Sequence, residues 1–160
     1  MSKSRIFADL IADHERQREL ITRIAETSGD SPERRELFET LRRELQAHAA
    51  AEEETLYATM LADPELRDDA RHSVSEHKEV DDILGELVET EMSSPGWLTR
   101  FKTMRERYLH HIDEEEEEMF PTAEKRLSAA EEERLGRAFE RRKPRELERA
   151  ESELPGDARE

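Results

Sequence analysis

The sequence contains no cysteine. That excludes a disulfide framework and any thiolate metal site, and leaves imidazole nitrogen and carboxylate oxygen as the available metal-binding atoms. Glycine and proline are scarce, at 5 and 6 of 160 residues, so the chain has few breakers and room for long uninterrupted elements. Hydrophobic residues make up only 34% of the chain against 42% charged, and any core must be a narrow stripe on polar-faced elements, which suits amphipathic helices. No hydrophobic run approaches a membrane span, and Ile6 to Ile11, interrupted by Asp9, is too short and polar for the apolar core of a signal peptide. The reading is a soluble cytoplasmic protein. Basic residues are outnumbered, 26 to 42, for a net charge of -16 and a pI near 4.9. Such a field repels phosphate backbones and anionic lipid, so neither nucleic acid nor a membrane is expected as a partner, and it concentrates cations.

A chain of 160 residues is one domain with a sizeable core. Breakers fall at Thr27 to Pro32, at Asp63-Pro64 and at Ser93 to Gly96. Ser31, Asp63 and Ser94 each precede a proline, the pattern of an N-cap followed by proline in the first helical turn. Between the breaks, apolar residues and histidines recur at three-and-four spacing, as in Leu10, His14, Ile21 and Ile24, or Phe38, Leu41, Leu45 and His48. Short connections between long amphipathic helices predict an all-α, antiparallel up-down-up-down four-helix bundle. Ser128 with Glu131 has the form of a capping box, and Leu135, Ala138 and Phe139 seat a short C-terminal fifth helix. Residues 1–140 form the bundle domain. Residues 141–160 read as a polar, frayed tail, since Pro144, Pro155 and a Glu/Arg run show no apolar periodicity.

An internal repeat runs through the bundle. His14 and His77, His48 and His111, Glu52 and Glu115, and Tyr57 and Phe120 are each 63 residues apart, as two helical hairpins related by a pseudo-two-fold would be. His48/Glu52 and His111/Glu115 are both His-x-x-x-Glu, and four residues on a helix turn the second side chain only about 40° from the first. Each pair shares the apolar face, because Leu41 and Leu45 lead to His48, and Met104 and Tyr108 lead to His111. Counted from the marked helix ends, all four histidines fall near mid-bundle. Four imidazoles and two carboxylates in an apolar core are costly to bury without compensation, and a pair of metal ions compensates them. Nitrogen with carboxylate suits a dinuclear non-haem centre; iron fits, and zinc or manganese can occupy the same groups. The expected metal ligands are His14, His48, Glu52, His77, His111 and Glu115, with no catalytic side chain of the protein's own.

These residues resemble the hemerythrin and HHE cation-binding family, whose pattern is a histidine on each of four helices with His-x-x-x-Glu on the second and fourth. The resemblance covers roughly residues 5 to 140. It implies two Fe ions in an oxo- or hydroxo-bridged centre that binds oxygen or reacts with peroxide or another small oxidant, in oxygen or redox sensing or iron handling. A catalase-like or ferroxidase-like enzyme at the same site is the alternative. Oxygen-carrying hemerythrins resemble a five-histidine pattern with His-x-x-x-His on the third helix. Here Asp81 stands four after His77, and His72, five before it, faces elsewhere. The open position would go to water, another carboxylate or a phenolate. Asp81 and Tyr108 are the nearby candidates, although Tyr108 reads better as a core aromatic and Asp81 as a solvated residue. Glu53 and Glu116 are register alternatives to Glu52 and Glu115. His110 points about 100° from His111, and Trp97 reads as a plug at the bundle end.

Overall fold

The computed structural model describes residues 5–156; residues 1–4 and 157–160, the outermost parts of the expected bundle domain and tail, lie outside the described residues. Five helices follow one another. Helix α1 is Arg5–Ala25, and α2 is Pro32–Glu52 continued by a π-helical turn Glu53–Tyr57 and by Ala58–Ala62. Helix α3 is Arg67–Glu89, and α4 is Pro95–Glu114 continued by a second π-helical turn Glu115–Met119 and by Phe120–Arg126. Helix α5 is Ala129–Ser152. Four helices form the bundle and α5 lies in the groove between α1 and α2.

The helix starts follow the local chemistry. Ser31 Oγ accepts the Arg34 N–H at 3.1 Å, and Ser94 Oγ accepts the Gly96 N–H at 3.2 Å. Ser128 and Glu131 cap each other reciprocally at 3.1 Å, which satisfies donors that helical bonding leaves free. Asp63 departs from expectation. Its carboxylate accepts the Glu65 N–H at 3.0 Å and is held by Arg126, so it closes a turn, and α3 begins only at Arg67.

The core is split in two. One apolar cluster gathers Ile21, Ile24, Phe38, Leu41, Leu84 and Phe101 under the plug Trp97, whose Nε1 donates to Leu87 O at 3.1 Å and whose ring carries the Arg34 guanidinium. The other gathers Phe7, Leu10, Leu56, Tyr57, Phe120 and, from α5, Leu135 and Phe139. Between them lies a layer of buried polar side chains that includes His14, His48, Glu52, His77, His111 and Glu115.

The fifth helix is longer than the sequence pattern indicates, and residues 141–152 are helical rather than frayed. The proline at 144 removes one helical hydrogen bond and strains the turn before it, a cost of about 3 kcal/mol, yet the helix persists because polar contacts dock it. Lys143 is buried, Arg42 Nη1 donates to Ala150 O at 3.0 Å, and Gln46 Nε2 donates to Glu153 O at 2.8 Å. Beyond the helix, Gly156 adopts φ +52°, and a Cβ there would stand 2.9 Å from Asp81 O, a conformation and an approach that favour glycine. Its N–H donates to Asp81 Oδ2 at 2.9 Å, so Asp81 fastens the C-terminal segment.

Candidate metal centre

The structure brings all six expected ligands together. Every one of them is at most 6% exposed, and their donor atoms form two trios, His14 with His48 and Glu115, and His77 with His111 and Glu52, the atoms within each lying within 4.8 Å of one another. The glutamates stand between the trios. Glu52 Oε1 is 3.4 Å from Nε2 of both His77 and His48, and Glu115 Oε1 is 3.4 Å from His14 Nε2 and 3.2 Å from His111 Nε2.

Each imidazole is oriented from behind by a carboxylate. Nδ1–H of His14 donates to Glu116 at 2.7 Å and that of His48 to Asp13 at 2.9 Å; His77 donates to Glu53 at 2.9 Å and His111 to Glu76 at 2.7 Å. With Nδ1 committed outward, Nε2 faces inward as the free donor atom. The four Nε2 atoms, both oxygens of Glu52 and Oε1 of Glu115 are buried with no hydrogen-bond partner among the described residues. Seven orphaned polar atoms aimed at one spot are expensive unless a cation fills it, so the residues fit a metal centre.

The outer carboxylates obey the repeat as well. Asp13 and Glu76, like Glu53 and Glu116, are 63 apart. Glu53 and Glu116 thus lie behind His77 and His14, outside the two trios. The apolar periodicity does not mark Asp13 and Glu76, although an acid directly before His14 and before His77 is visible in the sequence.

The two π-helical turns explain the rest of the shell. On an α-helix a residue five positions on points about 140° away, whereas a turn with i→i+5 hydrogen bonds sets it above its partner. Tyr57 is thus returned to the face of Glu52, and Phe120 to that of Glu115. The Tyr57 ring lies 5.2 Å from that of His77, and Phe120 stacks on His14 at 6.0 Å. Only Tyr57 carries a hydroxyl, which donates to Glu115 Oε2 at 2.6 Å. Tyr108 is a buried core residue donating to Gln17 Oε1, as its sequence position suggests. His72 and His110 are exposed, and neither belongs to the two trios.

The electrostatics match this arrangement. Burial disfavours the imidazolium of His14, yet Glu115 and Glu116 outweigh it and hold its pKa up to about 9. At His111, burial is outweighed by Glu115, Glu76 and Glu52, and the pKa stands at about 10. His48 and His77 are raised for the same reasons. The Glu115 carboxyl, despite its burial, is held well below the ordinary range by His111 and His14. At Asp13 burial is overcome by His48 and the Lys143 ammonium, which leave it at about 2.

A bundle with a buried layer of histidine and glutamate arranged this way is a metal-binding scaffold. The chain belongs to the hemerythrin HHE cation-binding family: the model of the hemerythrin HHE cation binding domain matches residues 5–123. It is similar to a solved structure, the hemerythrin HHE cation binding domain-containing protein of Mycobacterium kansasii described as an Rv2633c homolog. The two are 29% identical with a TM-score of 0.79, over 93% of this chain and 90% of that one. Comparison with curated proteins gives no significant match. No helix among the described residues is long and apolar enough to cross a membrane.

Proposed function

We propose that this is a non-haem di-iron protein that binds oxygen or reacts with a small oxidant, with His14, His48 and Glu115 holding one ion and His77, His111 and Glu52 the other. The observation that carries the reading is the set of seven orphaned Nε2 and carboxylate atoms converging between the two halves of the core. Two trios with shared carboxylates favour two ions over one, and nitrogen with oxygen ligands suits iron. Bound there, the pair of ions would supply the electrons exchanged with oxygen or peroxide.

The protein's own part is to hold and to screen. Asp13, Glu53, Glu76 and Glu116 fix the imidazole tautomers, and Tyr57 keeps its proton on Oη against Glu115 Oε2, burial and the nearby Glu115 and Glu52 holding that phenol well above its ordinary pKa. Phe7, Leu10 and Phe120 exclude water on one side. On another side a cavity of about 470 Å³ between α2, α3 and α5, lined by His48, His77, Tyr108 and Leu84, leads outward. That opening is wide enough to admit oxygen or peroxide, and its size alone does not restrict entry to them.

A second reading, catalase-like or ferroxidase-like turnover at the same site, draws support from Tyr57. A phenol stands against Glu115 and His77, and the second histidine of α3, His72, is exposed and away from the centre. Elemental analysis with an optical spectrum of the aerobic protein tests the first reading: two irons per chain with near-ultraviolet absorption uphold it, and zinc, one ion or none overturns it. Peroxide consumption by the iron-loaded protein separates turnover from binding.

A further inference from the structure

The chain has 6 histidines, and the two outside the buried centre flank one surface carboxylate. His72 of α3 and His110 of α4 both face Glu114: His72 Nε2 lies 3.5 Å from Glu114 Oε1, and His110 Nε2 lies 3.2 Å from Glu114 Oε2. Glu76 completes the group, its Oε2 lying 3.4 Å from His72 Nε2. Ligand atoms of His72, Glu76 and Glu114 all fall within 4.8 Å of one another. Glu76 also faces inward, since its Oε1 accepts the His111 Nδ1–H at 2.7 Å.

The internal repeat gives a second, independent argument. Glu76 corresponds to Asp13, and behind Asp13 a cation is built in: Lys143 Nζ lies 2.7 Å from Asp13 Oδ2 and 3.0 Å from Glu44. On that first hairpin α5 covers the outer face, and the positions matching His110 and Glu114 are Ala47 and Ala51, both fully buried. Among the described residues the second hairpin has no covering helix and no lysine at this point, and Arg107, the counterpart of Glu44, pairs outward with Glu79. It carries instead the His72 imidazole with Glu76 and Glu114 around the equivalent spot, with His110 against the other oxygen of Glu114.

We propose that His72, His110, Glu114 and Glu76 form a surface site for a divalent transition-metal cation across the α3–α4 seam, filling the role that Lys143 fills on the other hairpin. Imidazole with carboxylate oxygens, His72 in the cluster and His110 beside it, favours zinc, cobalt or ferrous iron over magnesium or calcium, which take oxygen ligands. The site shares Glu76 with His111, so a cation there is one carboxylate away from a ligand of the buried centre. That link, though not the site itself, rests on the function proposed above.

Zinc chloride titrated calorimetrically into the full-length, iron-loaded protein tests the proposal. One weak equivalent per chain is expected, lost in the H72A/H110A double variant and weakened in E114Q, with iron content and helical circular dichroism unchanged. Because His72 and His110 are exposed, these variants fold. Absence of the equivalent in the parent protein, or its persistence in H72A/H110A, overturns the site. If the protein takes up no iron but still loses one zinc equivalent with His72 and His110, the surface site stands and the di-iron reading fails. Two tight irons with no zinc equivalent give the reverse.

Discussion

The Tyr57 hydroxyl donates to Glu115 Oε2 at 2.6 Å, joining the π-helical turn of α2 to the ligand face of α4, while its repeat partner Phe120 offers Glu52 nothing. This single atom accounts for an imbalance at the centre: both oxygens of Glu52 are orphaned, but only one of Glu115. Tyr57→Phe therefore makes the two halves equivalent, and it leaves Glu115 Oε2 buried and unpartnered. The cost is about 1–3 kcal/mol for the metal-free protein, read as a lower urea midpoint with an unchanged slope. An unchanged midpoint would show that the hydroxyl bond adds nothing to stability.

Lys143 is the second test of how the site is held. Its ammonium lies between Asp13 and Glu44 with 10% of the side chain exposed, so Lys143→Met leaves the two buried carboxylates with only the more exposed Arg16 guanidinium as a shared cation. Leaving a buried charge wholly unpaired costs about 3–5 kcal/mol, and with Arg16 still in place the loss is expected to be a part of that. Adding Glu44→Gln to Lys143→Met removes one of the two charges and should recover part of the loss in thermal unfolding. A double variant no more stable than the single one would mean that the helix dock, rather than the charge, carries the effect.

The bundle, its fifth helix and its six central side chains were legible in the sequence because each leaves a periodic trace: apolar residues at helical spacing, two His-x-x-x-Glu pairs, and an offset of 63 linking them. What escaped has a common physical origin. The docking of α5 past residue 140 depends on Arg42, Gln46 and Lys143, whose buried contacts are polar and so leave no hydrophobic period. The return of Tyr57 to the ligand face depends on a π-helical turn, and α-helical geometry points a residue five positions after Glu52 away from it. Asp63 kept its capping chemistry but spent it on a turn, since Arg126, distant in sequence, holds its carboxylate.

Removing metal should destabilise the protein, because an ion that binds only the folded state at a thousandfold excess over its dissociation constant contributes about 4 kcal/mol. Chelation is expected to lower the melting temperature, and His77→Ala, which removes a ligand of one trio, should reproduce most of that fall without chelator. Glu53→Gln keeps the imidazole but weakens its support, and is expected to loosen metal binding by about 10–100-fold. If the chelated and untreated proteins melt together while iron is shown to leave, folding does not depend on the centre.

The metal-free protein should also respond to pH in a direction set by its histidines. In the folded chain His14 titrates at about 9 and His111 at about 10, against about 6.5 when unfolded. A folded pKa above the unfolded one means stability fully present below about pH 6.5 and lost as pH rises through 9 to 10. Asp13, lowered to about 2, has the opposite sign: its contribution is present above about pH 3.9 and disappears as pH falls through 2. The chelated protein should thus be most stable between about pH 4 and 6.5 and weaken steadily toward pH 10. Because those imidazoles carry protons at pH 7, metal uptake there must expel them. Calorimetry in buffers of different ionisation enthalpy should show protons released on loading at pH 7, and fewer at pH 10. Equal proton release at the two pH values would contradict the raised histidine pKa values.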